Sequence, residues 1–248
     1  KSVKYVDVLG IDPYVGTNSP STYVGNKVTD AVAATKGEKP VYAVLQAFEW
    51  RSYWPSRNDL RDMIYQAMMA GASGIGFYKF VNAKGELELN ATDLWPVISD
   101  FGQNEWDDAY KAFVKGDYPL FSTQRTDNYW MDSFVKENNV LHMVVANRTN
   151  EVQNITIQLT NTDGTRTIGE YTVESSSETQ SANSGNGSIT ISLPASSAEV
   201  YTITPNNSSD LPDVELPEEE EPGDFITRGK FASMLIETLD IADGNPSD

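Results

Sequence analysis

Over the first hundred residues, three near-continuous apolar runs end in polar and aromatic side chains, and helical patterns separate them. "YVDVLGIDPY" (5–14) ends in Asp12, Pro13 and Tyr14 and leads across a Gly/Ser/Pro loop into the helix-like "STYVGNKVTDAVAATKG". A second strand, Val41 to Phe48, leads through a polar loop to "SRNDLRDMIYQAMMAGA", where Ser56 reads as the N-cap and Gly71 as the stop. A third, "GIGFYKF" (74–80), surfaces in turn residues. Strands apolar on both faces and alternating with helices predict a parallel sheet covered by helices. No glycine-rich phosphate loop follows the opening strand. The pattern reads as the last three units of a larger (β/α)8 TIM barrel, with five units upstream and one or two closing helices over 97–116.

After Asp117 the period changes to two. The segments 139–149, 152–160, 165–174, 186–194 and 198–205 are short alternating strands separated by Asn, Asp, Gly and Ser turns, and they predict an antiparallel β-sandwich. "TDGT" at 162–165 reads as a hairpin turn between the second and third of them. Residues 206–224 lack periodicity and carry a run of acids, so they read as an extended, self-repelling linker. Beyond it, Phe231, Leu235 and Leu239 share one face of a short amphipathic helix with Thr227 as its cap. One helix cannot bury its own apolar face, so 225–248 reads as the start of a larger module. The expected domains are 1–116 (barrel part), 117–205 (sandwich), 206–224 (acidic Pro/Glu-rich linker) and 225–248.

The charge of −18, from 36 acids against 18 bases, argues against a nucleic-acid partner, because phosphate binding needs a basic face. Twelve acids and two bases lie in residues 210–248, so about ten of those net charges belong to the tail. With no cysteine there is no disulfide, no thiol nucleophile and no thiolate metal ligand. The single histidine, His142, alternates with Leu141 and Met143 and reads as a half-exposed strand residue. Neither a metal nor an organic cofactor is expected. No apolar run approaches the length of a membrane span, and "KSVKYVD" has no signal-peptide pattern.

In a (β/α) barrel the chemistry sits at the C-terminal ends of the strands. The first strand offers Asp12 and Tyr14, the second Gln46, Glu49 and Trp50, and the third Tyr78 and Lys79, followed by Asn82. Arg51, Tyr53 and Trp54 occupy the loop after the second. Aromatic faces that stack on sugar rings, amides that bind hydroxyls and carboxylates able to act as acid, base or nucleophile are what a carbohydrate site needs. Each has a structural alternative. Asp12 beside Pro13 could cap a turn, the aromatics could close the top of the core, and a buried Gln46 must find partners that need not be a sugar.

The segments "DVLGIDPY", "PVYAVLQAFEW" and "RDMIYQAMMAGASGIGFYKF" resemble the C-terminal third of the barrel of bacterial glycoside hydrolases of the large retaining clan. In those enzymes the strand before the last carries the nucleophilic glutamate at its end, and the general acid sits on the fourth strand. The resemblance therefore points to Gln46–Glu49 as the nucleophile region, with the acid upstream. The position at the strand end is Gln46, with Glu49 three residues on. Either Glu49 is the catalytic carboxylate, or the nucleophile lies elsewhere, or the barrel has lost hydrolysis. The following sandwich is similar to the C-terminal β-domain common behind such barrels. "FITRGKFASMLIETLDI" resembles half of an S-layer homology module, with Thr227 and Arg228 matching its Thr-Arg pair and Lys230 where Glu is usual. These resemblances imply a secreted glycosidase at the bacterial cell surface that takes a carbohydrate substrate and holds secondary cell-wall polysaccharide through Thr227 and Arg228. The alternative is a non-catalytic carbohydrate-binding or scaffold protein on the same barrel.

Overall fold

The computed structural model describes residues 5–16, 18–78, 94–137, 139–176 and 187–212, with the backbone of 182–183. These lie in the first of two compact units, Lys1–Val214. Lys79, Asn82, Thr227 and Arg228 lie outside the described residues.

Three parallel strands form the first layer: β1 (Leu9–Ile11), β2 (Val41–Gln46) and β3 (Gly74–Tyr78), in that spatial order. β1 is much shorter than the ten-residue apolar run that contains it. Helix α1 (Pro20–Thr35) joins β1 to β2. It begins with proline at its first turn, where a missing N–H costs nothing, and ends at Lys36 in the left-handed region (φ 57°). Helix α2 (Arg57–Met69) joins β2 to β3. Its start is a reciprocal capping box: the Ser56 hydroxyl accepts from Asp59 N–H (3.1 Å) and the Asp59 carboxylate accepts from Ser56 N–H (2.9 Å), an arrangement worth about 1 kcal/mol.

From Asp62 to Met69 every residue of α2 is buried, because a second sheet covers the face that a surface helix would turn to water. Val41, Ala43 and Leu45 of β2 pack on one side of it. On the other are Val144 and Ala146 of β6 (Val140–Asn147) and Ala198 and Val200 of β11 (Ala198–Pro205). The closing helical stretch comprises α3 (Leu94–Asp100) and α4 (Trp106–Ala109), each followed by a π-helical segment, Phe101–Glu105 and Tyr110–Lys115.

The antiparallel region has two sheets. The five-stranded one has the order β4 (Leu120–Arg125), β5 (Tyr129–Lys136), β6, β11, β8 (Tyr171–Ser175). The three-stranded one has the order β7 (Gln153–Gln158), β10 (Ser188–Leu193), β9 (Ala182–Asn183). Leu141, Met143, Tyr201 and Ile203 from the first sheet and Ile155, Ile157, Ile189 and Ile191 from the second form the core between them. The chain thus combines a mixed α/β region with an antiparallel all-β region.

Sequence reading and structure differ at four places. β4 and β5 were not anticipated: Ser122, Asp132 and Ser133 are buried there, so simple apolar alternation is lost. Asp132 is held by Arg125 and Thr123, both at 2.6 Å. "TDGT" does turn the chain, with a single bridge between Thr160 and Thr167. Its flanking segments then part, β7 pairing with β10 and β8 with β11. His142 is buried rather than half-exposed, because the outer face of β6 packs on helices. Finally, residues 206–212 pack on the antiparallel sheets instead of extending: Leu211 is buried and Asp210 accepts from Gly169 N–H at 2.8 Å.

Polar ties join the helical layer to the five-stranded sheet. Arg61 of α2 pairs with Glu105 (2.6 Å) and donates to Ala198 O (3.1 Å) and to the Ser176 hydroxyl (2.7 Å). Arg148, just after β6, stacks on Trp130 at 3.8 Å and donates to Asn26 of α1 at 2.8 Å. Fully buried Asp62 accepts from Gln66 at 2.6 Å through one oxygen, while its other oxygen has no partner. Burial holds its pKa well above the usual carboxylate range, against the lowering effect of the Gln66 hydrogen bond and of Arg148.

Candidate functional site

The C-terminal ends of β1, β2 and β3 bring Asp12, Tyr14, Gln46, Glu49, Trp50, Trp54 and Tyr78 to one end of the sheet. Lys79 is outside the described residues. In-register parallel pairing sets Gln46 beside Tyr78, and Ala47 N–H donates to Tyr78 O at 2.6 Å. After β1, Tyr14 N–H donates to Asp12 O (2.8 Å), a three-residue turn centred on Pro13 that suits proline's fixed φ.

Phe48, unassigned in the sequence reading, is the hub of the aromatic cluster. It is buried and meets Tyr14 (5.2 Å, 86°) and Tyr78 (5.3 Å, 87°) edge to face, with Trp50 tilted against it at 6.2 Å. Tyr14 and Tyr78 lie nearly parallel at 6.0 Å. Such edge-to-face and offset arrangements follow from the ring quadrupoles and contribute about 0.5–1.5 kcal/mol per pair beyond area burial. The rim stays open even so: Tyr78 is 48%, Trp50 41% and Trp54 37% exposed. Burial, with the nearby Asp12 carboxylate and Tyr78 adding to it, pushes the Tyr14 hydroxyl up to about 12, so at neutral pH it is a hydrogen-bond donor. Asp12 and Glu49 are exposed carboxylates, and Glu49 makes no hydrogen bond or ion pair with the described residues.

Gln46 is fully buried, and its amide holds backbone atoms of the rim loops. The side-chain carbonyl accepts from Gly16 N–H (3.3 Å), and the NH2 donates to Phe48 O (2.9 Å) and Tyr53 O (3.2 Å).

The loop after β2 opens as a two-residue hairpin. Trp50 N–H donates to Tyr53 O and Tyr53 N–H to Trp50 O, both at 3.0 Å. Arg51 and Ser52 between them have φ of 52° and 62°, the pattern of a type I′ turn. Glycine and asparagine are the residues that adopt this backbone readily, and each ordinary residue there costs on the order of 1 kcal/mol. Gly16 (φ 56°) lies against Trp50, and a Cβ there would come within 2.9 Å of the indole. The Arg51 guanidinium sits 5.6 Å from the centre of the Trp50 ring. The turn was not legible as such, because Arg-Ser is no hairpin signature. Phe48 could have been found as the last apolar residue of the "VYAVLQAF" run.

Among the described residues no group of three or more His, Asp or Glu side chains is arranged to hold a metal ion. No described helix is long and apolar enough to cross a membrane.

No family model matches the chain, and no curated protein shows significant similarity to it. Among solved structures it is similar to an alpha-amylase from Geobacillus thermoleovorans complexed with acarbose (11% identity, TM-score 0.47, covering 79% of this chain and 53% of that one). It is similar to alpha-galactosidase I from Mortierella vinacea (12%, TM-score 0.46, 74% and 44%). A third is a GH30 endoxylanase from Clostridium papyrosolvens (14%, TM-score 0.43, 82% and 50%). The chain spans about half the length of these structures.

Proposed function

We propose that this chain is the C-terminal portion of a glycoside hydrolase displayed on a bacterial cell surface, and that the strand-end aromatics form part of its saccharide-binding cleft. The observation that carries this reading is the rim itself. Trp50, Trp54 and Tyr78 remain exposed around a buried Phe48 hub, at the strand ends where a (β/α) barrel does its chemistry. Stacking on flat apolar faces, with the Tyr14 hydroxyl and the Asp12 carboxylate beside them, suits a ring that is apolar on its faces and hydroxylated at its edge. Five further (β/α) units, pairing with the outer edges of this three-stranded sheet, would complete the barrel.

In this reading Glu49 is one of two catalytic carboxylates. A retaining enzyme would set it about 5 Å from an upstream acid, one acting as nucleophile and the other as acid and base. Thr227 and Arg228 would hold the acidic secondary cell-wall polysaccharide, a task for which arginine's fixed, multiply donating charge is fitted.

A second reading is favoured by the state of Glu49. Catalytic carboxylates are held by hydrogen bonds that fix their orientation, whereas Glu49 is exposed and has no such partner among the described residues. A barrel that binds glycan without cleaving it would need only the aromatics. The test is hydrolysis of a panel of plant and bacterial polysaccharides by the intact protein and by Glu49→Gln. A loss of about a thousandfold with an unchanged melting curve supports the enzyme. Retained glycan binding with no product from any substrate supports the binding protein, and neither binding nor product rejects both.

A further inference from the structure

Gln46 and the hairpin above it carry an inference about how the rim is built. The amide offers four hydrogen-bonding positions, two lone pairs on oxygen and two N–H bonds. Three are engaged, all by main-chain atoms of the loops that carry Tyr14 and the exposed Trp50. Gly16 belongs to the β1–α1 loop, two residues after Tyr14. Phe48 and Tyr53 bracket the segment that carries Glu49 and Trp50. One side chain on the middle strand thus ties the neighbouring loop to both ends of the strained turn. The bond to Gly16 also sets the surface on which the Trp50 indole rests, since that glycine's α-carbon faces the ring. A left-handed Arg51–Ser52 pair persists only where its surroundings over-determine it, and the Gln46 amide at Tyr53 O is one of the groups that does so.

We infer that Gln46 is a positioning residue: its buried amide fixes the spacing between the Tyr14 loop and the Trp50 hairpin, and so the arrangement of aromatic faces that a saccharide meets. The functional half of this rests on the saccharide-binding reading above. The structural half does not. An ionised glutamate cannot take the part, because a carboxylate accepts from Gly16 N–H but confronts Phe48 O and Tyr53 O without a proton. Protonated, it donates to one of them. Burial raises the pKa of such a carboxyl, which brings its protonation into an accessible range.

The experiment uses the intact protein, with Gln46→Leu and Gln46→Glu, at pH 7 and pH 5.5, each beside the wild type under the same conditions. Trp50 emission, isolated as the difference between each protein and its Trp50→Phe counterpart, reports the seating of the indole. Titration with xylo-, cello- and malto-oligosaccharides reports affinity. Both variants should shift Trp50 emission to the red at pH 7 and weaken oligosaccharide binding about tenfold or more. Gln46→Glu should recover part of the lost emission and affinity towards pH 5.5, since its protonated carboxyl restores one of the two donated bonds, while Gln46→Leu recovers none. A merely space-filling residue would give no such recovery, and the recovery itself shows that the glutamate variant folds. Unchanged Trp50 emission in both variants overturns the inference, as does unchanged affinity in a protein whose wild type binds. A wild type that binds none of the sugars sinks the saccharide reading, and with it the functional half of this inference; the emission shift then judges the positioning role alone.

Discussion

The two regions of the molecule bury their sheets differently. The antiparallel region closes on itself: its two sheets share an apolar core, and the outer face of the larger sheet is covered again by α2 and the closing helices. The parallel layer is covered by helices on one face, while Tyr42 on the other is 41% exposed, its ring lying across Gly74 and Gly76. Exposed aromatics stand at the strand ends of this layer, Trp50, Trp54 and Tyr78 among them. A buried imidazole, His142, sits at the seam between the larger sheet and the helices.

The sharpest way to break this comparison is to remove bulk from each region. Leu141 is fully buried in the core between the two antiparallel sheets, and Leu141→Ala should cost about 2–5 kcal/mol by urea denaturation, the range for a leucine whose cavity cannot collapse. Tyr42→Ala should cost about 1 kcal/mol or less, because the ring already meets water and gives up one hydrogen bond, to Ile75 O. Equal losses would mean that the Tyr42 face is covered in the folded protein, and the contrast between open and closed layers would fail.

The same contrast explains what was legible in the sequence. The parallel layer could be read almost element by element because its elements are made locally. Ser56 caps α2 as its position suggested, Gly71 (φ 95°) follows the helix end, and each strand is an apolar run. The antiparallel region mixes near and distant pairings: β4, β5 and β6 follow one another, while β11 inserts between β6 and β8. β7 meets β10 rather than the strand that follows its own turn, and β5 hides Asp132 behind an arginine two strand positions outside any apolar pattern. The site divides in the same way. Its side chains could be listed from the strand ends, whereas the role of Gln46 could not, since its partners are backbone atoms of loops whose conformation no residue type announces.

His142 allows a second test, specific to the seam. Its ring is buried between β6 and the closing helices with Nδ1 unpartnered, and burial lowers its pKa to about 4, against the pull of Asp108 and with a small push from Lys136. Between pH 6.5 and 4 the unfolded chain binds a proton that the folded protein refuses. Stability from this group is therefore complete above about pH 6.5 and is lost as pH falls towards 4, by about 3 kcal/mol in all. His142→Leu should remove that acid limb from a plot of melting temperature against pH. An unchanged profile would mean that His142 is solvated, and that the seam is looser than the packing of β6 implies.

Asp62, across the same seam on α2, works with the opposite sign. Its folded pKa is raised, so above about pH 4, where the unfolded carboxyl has lost its proton, the native protein still holds one. Stability from Asp62 is full below that pH and declines as pH rises through its folded value. In the wild type the two groups oppose each other between pH 4 and 6.5 and partly cancel. Separating them makes each visible: Asp62→Asn should show a melting temperature that rises more steeply with pH across that window than the wild type's, and His142→Leu one that falls. If Asp62→Asn instead shifts the whole curve down by a constant amount, the carboxyl is ionised in the folded protein and pairs with Arg148, and the seam is held by charge rather than by a buried, protonated acid.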